Sequence, residues 1–316
     1  MRVIIGLDIG GTKILGALYD VDGNVISKIK KKTKSNEGLE MVMKQVDKVI
    51  DGLIKAEGIE LLGIGIGVPG LVNEQGEVLF SPNIPFRDFK LEKRISESYR
   101  VPVVVGNDVN VAMFGEYKHL NDVKLNDVLG IFVGTGVGGA IILGGNLFVG
   151  QGSAAEFGHM VVNVDGAYCG CGAQGCLEAY ASKTAMQKYI LKQLGKGRMS
   201  VLKDYLEEDG AVMKSSSLKK ALDVKDELAL DVVERTAKYL GVAIGNLVNL
   251  FHPQMIILGG GVIESLEVEL VDRAIREARL HAMPGLMDSV ELKMSTLGDE
   301  AGVYGAYRLA REKLKI

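Results

Sequence analysis

Cysteine is nearly missing from this chain: of 316 residues only three are Cys, all between positions 169 and 176. A disulfide framework spread over the fold is thereby excluded, and the distribution suits a reducing cytoplasm. Proline is scarce as well, at 6. Neither charge sign is in excess: Lys plus Arg total 37 against 40 Asp plus Glu, and the net charge of -3 offers no bulk attraction to a phosphate backbone. No nucleic-acid partner is expected. A secretory leader is not visible either, because the apolar run Val3 to Leu7 is cut at once by Asp8. The longest uncharged stretch, Val128 to Ala155, carries eight glycines between 128 and 150 together with Thr135, Asn146 and Gln151. It reads as short strands joined by turns rather than a membrane span, so no membrane partner is expected.

What the chain has in quantity is glycine, 41 in 316, or about 13% and roughly twice the usual share. These glycines recur at the ends of short apolar runs, where backbone bends sharply or approaches a ligand closely. With 47% hydrophobic and 24% charged residues the composition is that of a globular protein, not a disordered one. Its length exceeds the usual span of one core, so two domains, or one deeply cleft pair with a small-molecule site in the cleft, are expected.

The pattern along the chain predicts an α/β protein. A three-strand meander (Val3 to Asp8, Ile14 to Tyr19 and a third strand after the Asp22-Gly23-Asn24 turn) leads to a helix over Leu39 to Ala56. A strand over Leu61 to Val68, a helix near Leu91 to Tyr99 and the β-branched run Val101 to Val105 follow. A second meander, Val128 to Val133, Ala140 to Leu143 and Leu147 to Val149, reads as an internal duplication of the first. Helices near Leu177 to Leu194, Ala229 to Phe251 and Glu267 to Leu280 are then interleaved with strands at Met255 to Leu258 and Val290 to Met294. The expected lobes are 1–118 and 119–300, with a terminal helix in 301–316 packing back onto the first.

Several of the turns carry residue types suited to chemistry. In Asp8-Ile9-Gly10-Gly11-Thr12-Lys13 a carboxylate ends a strand, and the glycines let backbone N–H groups approach an anion; a plain glycine hairpin is the alternative. An echo at Gly134-Thr135-Gly136-Val137-Gly138-Gly139 favours phosphate, since two such turns in corresponding places can grip a triphosphate. That echo also matches G-x-G-x-x-G, but no helix pattern follows it, so a dinucleotide fingerprint is not supported. Gly259-Gly260-Gly261, after a strand, suits an adenine or ribose, or is simply a strand-to-helix turn. Asp108, at the end of the run Val103 to Val105 and the start of a helical pattern, reads as a general base for phosphoryl transfer or as a helix N-cap.

The strongest local signal is His159, Cys169, Cys171 and Cys176, four metal-binding side chains within eighteen residues. This set suits a structural tetrahedral zinc, the alternative being reduced buried thiols beside an unrelated histidine. Glu156 and Glu178 flank the loop, as acceptors for sugar hydroxyls or as surface carboxylates. Asn83 and Asn107 are further polar candidates, or turn residues. His119, His252 and His281 read as structural or surface residues.

Taken together, the Asp8 to Lys13 turn, Gly67-Val68-Pro69-Gly70, Asn107-Asp108-Val109-Asn110, the Gly134 to Gly139 turn, Glu156-Phe157-Gly158-His159, the segment Cys169 to Glu178 and Gly259-Gly260-Gly261 resemble the ROK family of bacterial sugar kinases and sugar-responsive repressors. The likeness spans nearly the whole chain. It implies a two-lobed actin-like ATPase (ribonuclease H-like) fold, each lobe a mixed sheet with flanking helices. It implies ATP with Mg2+ held by Asp8, Gly10, Gly11, Thr12, Lys13, Gly134, Thr135, Gly136, Gly259 and Gly260. Asp108 is then the base, and Asn83, Asn107, Asp108, Glu156, His159 and Glu178 contact the sugar. Zinc is implied on His159, Cys169, Cys171 and Cys176, and a homodimer by the habit of the family. Among the sugars of the family (glucose, mannose, fructose, N-acetylated hexosamines) the glutamate pair most resembles the glucokinases, enzymes of glycolysis. A repressor, with its helix-turn-helix ahead of the sugar-binding body, and an actin-like filament are the other readings. Seven residues before Asp8 argue against the first and the cysteine loop against the second.

Overall fold

The computed structural model describes residues 1–209 and 213–316. The first meander forms as expected: β1 (Arg2–Ile9), β2 (Lys13–Asp20) and β3 (Val25–Lys32) pair antiparallel in turn. Val3 to Leu7 are buried without a break, as in a central strand covered on both faces, whereas β3 is largely exposed and carries Lys28, Lys30, Lys31 and Lys32, charges that guard a sheet edge. After α1 (Leu39–Leu53), β4 (Glu60–Val68) runs parallel to β1. Then come β5 (Leu71–Val72), β6 (Val78–Phe80) and β7 (Arg87–Phe89), a small antiparallel sheet too short to leave a periodic signal in the sequence. Helix α2 (Leu91–Tyr99) leads into β8 (Val103–Asn107), parallel to β4, and on to α3 (Asp108–His119). The sheet order is β3-β2-β1-β4-β8.

The later elements are β9 (Val128–Val133), β10 (Val137–Leu143), β11 (Asn146–Phe148), α4 (Glu178–Ala181), α5 (Lys183–Gly195), α6 (Leu202–Asp209), α7 (Ser215–Asp223) and α8 (Glu227–Phe251). They continue with β12 (Met255–Gly259), α9 (Gly261–His281), β13 (Glu291–Met294) and α10 (Ala301–Lys313). Their sheet order, β11-β10-β9-β12-β13, repeats the first strand for strand. One expectation needs correcting: Leu177 to Leu194 is not a single helix. Ser182, extended at ψ 154, separates α4 from α5, and its hydroxyl accepts from Ala185 N at 3.0 Å as the α5 cap.

Contacts divide the chain into two compact units, not at one point but by segments: 1–126, 140–155 and 296–316 form one, 127–139 and 156–295 the other. In the first, α1 and α2 cover one face of the sheet, with Val42, Val46, Val49 and Leu91 in its core. Helix α10 covers the opposite face, where Val303, Tyr307 and Ala310 join Ile4, Ala17 and Tyr19. Among the described residues no helix is long and apolar enough to cross a membrane. Two mixed sheets of one strand order, flanked by helices, are the actin-like ATPase architecture.

Helix α10 lies directly on backbone. A Cβ at Gly6 would sit 2.1 Å from Val303 O, one at Gly65 1.8 Å from Ala306 O, and one at Gly305 1.8 Å from Val111 O. The approach to α10 also rests on a buried charge: Glu116 of α3, 2% exposed, accepts from Thr296 N, Thr296 Oγ1 and Leu297 N at 2.8 to 3.2 Å. Gly65→Ala is therefore expected to destabilise the protein by on the order of 3 kcal/mol or more, because neither partner backbone can yield. Gly195→Ala, where a methyl group meets nothing within 4 Å, is expected to be neutral or slightly stabilising. Urea midpoints of the two variants test the contrast, and equal midpoints would refute it.

Candidate functional site

Strand direction decides where chemistry gathers in the first unit. β1, β4 and β8 are parallel, so their C-terminal ends share an edge, with Asp8 opposite Gly67 and Val68 opposite Asn107. Such an edge is where α/β sheets place ligands. Asn107 ends β8 with extended backbone, and its Oδ1 accepts from Val109 N and Asn110 N at 3.0 and 3.1 Å. Its Nδ2 donates to Gly70 O at 3.1 Å. The cap of α3 is thus Asn107 rather than Asp108. Asp108 becomes the first helical residue, its Oδ1 accepting from Val109 N at 2.9 Å.

The Asp8 turn is fixed both from within and from outside. Gly10 N donates to Lys13 O at 2.9 Å, Ser35 Oγ to Gly11 O at 2.9 Å and Thr33 N to Thr12 O at 3.0 Å. Asn83 packs on Gly11, where a Cβ would lie 2.9 Å from its own. Lys13 is paired with Asp299 at 2.7 Å, and that bond and charge hold the Asp299 carboxyl below the usual range. Asp8 is pushed the other way, up to about 6, first by burial and then by the charge of Asp108, against the pull of Lys13. Two neighbouring carboxylates on one sheet edge suit a divalent cation, which would offset the charge of Asp108 that disfavours ionisation of Asp8.

In the second unit β9 and β12 are parallel neighbours, and each ends in a glycine turn. Gly134 N donates to Gly136 O at 2.9 Å, and the start of α5 holds the turn through Lys183 N to Gly134 O at 2.9 Å and Thr184 Oγ1 to Thr135 O at 2.8 Å. Val137 opens a strand, in keeping with the rejection of a dinucleotide fingerprint. Gly259 pairs with Phe132, and Gly260, at φ +88, lies where a Cβ would be 2.6 Å from Val133 O. The two turns are therefore packed side by side. Gly259-Gly260-Gly261 is a strand-to-helix turn, with α9 starting at Gly261.

The cysteine loop closes on itself. Cys169 N donates to Ala173 O at 2.8 Å, Gly175 N to Ala167 O at 2.8 Å, and Gly172 and Gly175 take the positive φ values, +92 and +84, that so tight a knuckle requires. The ligand atoms of His159, Cys169, Cys171 and Cys176 all lie within 4.8 Å of one another. His159 Nδ1 is 3.7 Å from Cys169 Sγ, and the Sγ atoms of Cys171 and Cys176 are 3.8 Å apart. Thiolates at 2.3 Å from a tetrahedral zinc stand about 3.8 Å from each other, so these residues fit the ion. Burial pushes the fully enclosed Cys176 thiol up to about 12, a resistance to ionisation that a bound cation reverses.

The two glutamates converge beside this loop. Glu178 Oε2 accepts from Val137 N at 3.0 Å, and Cys169 Sγ lies 3.7 Å from Glu178 Oε1. Although Glu156 has exposed surface, the protein around it raises its carboxyl above the usual range; His159 opposes the rise and Glu178 adds to it. Glu156, His159 and Glu178 are thus mutual neighbours, and Glu178 is anchored to backbone rather than waving in solvent. The candidate residues accordingly assemble as two sets. Asp8, Gly10, Gly11, Thr12, Lys13, Asn83, Asn107 and Asp108 belong to one unit; the cysteine loop, Glu156, Glu178 and both later glycine turns belong to the other. Asp299, Gly302, Glu116 and the Ser182 to Thr184 anchor went unnoticed in the sequence. A methyl group at Gly302 would stand 2.9 Å from Asp8 Cγ, yet 294 positions separate 8 from 302, and no local pattern links them.

Comparison with known proteins agrees with this geometry. The family model described as ROK family matches residues 4–313. A glucokinase of Halalkalibacterium halodurans is 35% identical over 320 residues, covering 99% of this chain and 96% of the relative. The structure of a ROK family glucokinase from Streptomyces griseus in complex with glucose and AMPPNP superposes with a TM-score of 0.79 at 34% identity, covering 98% of this chain and 99% of that one. A ROK family transcriptional regulator homologous to E. coli MLC superposes with a TM-score of 0.84 at 26% identity, covering 97% of this chain and 77% of that one.

Asp8 generates a pH prediction. Its folded-state pKa, about 6, lies above the ordinary 3.8, so the stability it contributes is complete below 3.8 and is lost as pH rises through 6. Asp8→Asn is expected to raise the stability of the ligand-free protein at pH 8 by on the order of 1–3 kcal/mol, a gain that shrinks steadily between pH 7 and pH 5. Thermal unfolding across that range measures it; an Asn variant less stable than the parent at pH 8 would contradict the assignment.

Proposed function

Because this chain belongs to the ROK family, we propose that its two residue sets serve one reaction, transfer of the terminal phosphoryl group of ATP to a hexose. The protein is an ATP-dependent hexose kinase, and glucose is its substrate. Near-complete alignment with a glucokinase, and with a glucose- and AMPPNP-bound enzyme of the same fold, supports that substrate. The observation that carries the reaction is the placement of Asp108 at the end of β8 in the first turn of α3, on the same sheet edge as Asp8.

Asp108 is the general base, taking the proton of the attacking sugar hydroxyl late in a transfer that otherwise requires only alignment and charge neutralisation. Asn83, Asn107, Asp108, Glu156, His159 and Glu178 bind and orient the sugar, their carboxylates and amides accepting and donating to ring hydroxyls. The Asp8 to Lys13 turn and the turns at Gly134 to Gly136 and Gly259-Gly260 receive the nucleotide, presenting backbone N–H groups where glycine leaves room. Asp8 would hold Mg2+, whose charge would neutralise phosphate. His159, Cys169, Cys171 and Cys176 would hold a structural zinc, which would fix the loop that aims Glu178 and His159. The close set of three thiols suits a reducing cytoplasm, and the family likeness supports a homodimer.

A second reading, a sugar sensor without catalysis, has the likeness to the regulator in its favour. ADP release from magnesium-ATP with and without glucose separates the two, since a sensor binds glucose without turnover. Asp108→Ala is expected to reduce kcat by roughly 10²–10⁴, far more than it weakens glucose binding, which five other side chains still support; turnover near that of the parent would remove Asp108 from the role of base. Metal analysis of unstripped protein should return about one zinc per chain, and Cys171→Ser should lower Tm together with the zinc content. A protein free of zinc and fully stable would rule the ion out.

A further inference from the structure

The turn between β9 and β10 is not closed by its own atoms alone. Gly134 N finds Gly136 O within it, but the next amide, that of the buried Val137, reaches outside and donates to Glu178 Oε2 at 3.0 Å. The carboxylate enters through the space that glycine leaves. A Cβ at Gly136 would stand 2.5 Å from Glu178 Oε2, and within 4 Å it would meet nothing but that carboxylate. The carbonyl side of the same residue is approached as closely, because a Cβ at Gly158, which lies between Glu156 and His159 in the chain, would stand 2.1 Å from Val137 O. Leu177 N donates to Met160 O at 2.9 Å, so the segments carrying Glu156, His159 and Glu178 are tied to each other as well as to Val137.

Glycines in such a turn leave room for a phosphate, and Gly134 fits that reading, since a Cβ there would meet nothing within 4 Å. At Gly136 the room is already filled by protein. A buried N–H needs an acceptor, and a carboxylate is a strong one, so the bond to Val137 N fixes one oxygen of Glu178 and with it the direction of the other. A methyl group at position 136 and the carboxylate in its present place exclude each other. We propose that Gly136 is a positioning residue of the sugar site: by lacking a side chain it lets Glu178 sit on Val137 N, and glucose affinity depends on that seat. The inference rests on the kinase reading for the role of Glu178 toward glucose, and it deepens that reading by giving a glycine of the nucleotide turn a task in sugar binding.

Calorimetric binding of glucose to the full chain, without nucleotide, tests the seat. The backbone at Gly136 lies outside the left-handed region and the clash is with the end of a flexible side chain, so Gly136→Ala should fold. It should push the carboxylate aside and raise the glucose Kd by roughly tenfold or more, as loss of one charge-assisted contact does. In a Glu178→Ala background, where no carboxylate remains to be displaced, the same substitution should change the Kd by less than about twofold. Equal effects of Gly136→Ala in the two backgrounds, or binding by Gly136→Ala as tight as the parent's, would overturn the proposal. Hydrogen exchange at the Val137 amide needs neither sugar nor the Gly136 variant: in Glu178→Ala it should run roughly tenfold faster or more, and an unchanged rate would also overturn the proposal. A parent protein that bound no glucose would remove glucose as the substrate, while the exchange comparison would still decide whether Glu178 is seated on Val137.

Discussion

The first unit depends on one close contact, the seating of helix α10 on bare backbone. Side chains normally hold the backbone of a helix clear of the sheet it covers. Here glycines at 6 and 65 let the carbonyls of Val303 and Ala306 come down onto β1 and β4, and Gly305 does the same against α3. Once α10 is so placed, Gly302 falls against Asp8, Asp299 reaches Lys13, and α3 is pinned by both Gly305 and the buried Glu116. The burial of Asp8 owes much to this arrangement, because Gly302 lies directly against its carboxyl group.

At the Asp8–Asp108 edge burial and a like charge disfavour the ionised form of Asp8, and in the cysteine loop burial disfavours the thiolate of Cys176. Both settings suit a positive ion, and at Asp8, whose carboxyl is raised to about 6, the ligand-free protein carries a stability penalty at neutral pH for a site already shaped for its occupant. They differ in how they are built. The thiols come from one short, glycine-rich loop that closes on its own hydrogen bonds, whereas the carboxylates come from separate strands joined only through the sheet.

That difference explains what could be read in the amino-acid sequence. The cysteine loop with its flanking glutamates was legible because its ligands are neighbours in the chain. The two meanders and the glycine turns were legible because apolar runs and turn residues are local, and the family likeness tied them into one fold. Boundaries were less so: the strand expected over Val101 to Val105 runs from Val103 to Asn107, which makes Asn107, and not Asp108, the cap of α3. Strands β5 to β7 are two or three residues long and carry no period to detect. Glu116, Asp299 and Gly302 were silent, since their partners lie about 180 to 290 positions away and only packing brings them together.

The seat of α10 also sets the order in which the molecule can be made. Strand β1 is synthesised about 290 positions ahead of the helix that closes the opposite face of its sheet. Throughout translation of the intervening segment, which includes all of the other unit, the apolar surface of Ile4, Ala17 and Tyr19 lacks the cover of α10. The sheet therefore stays half covered while that segment is made, and the later unit has the opportunity to fold before the earlier one is finished.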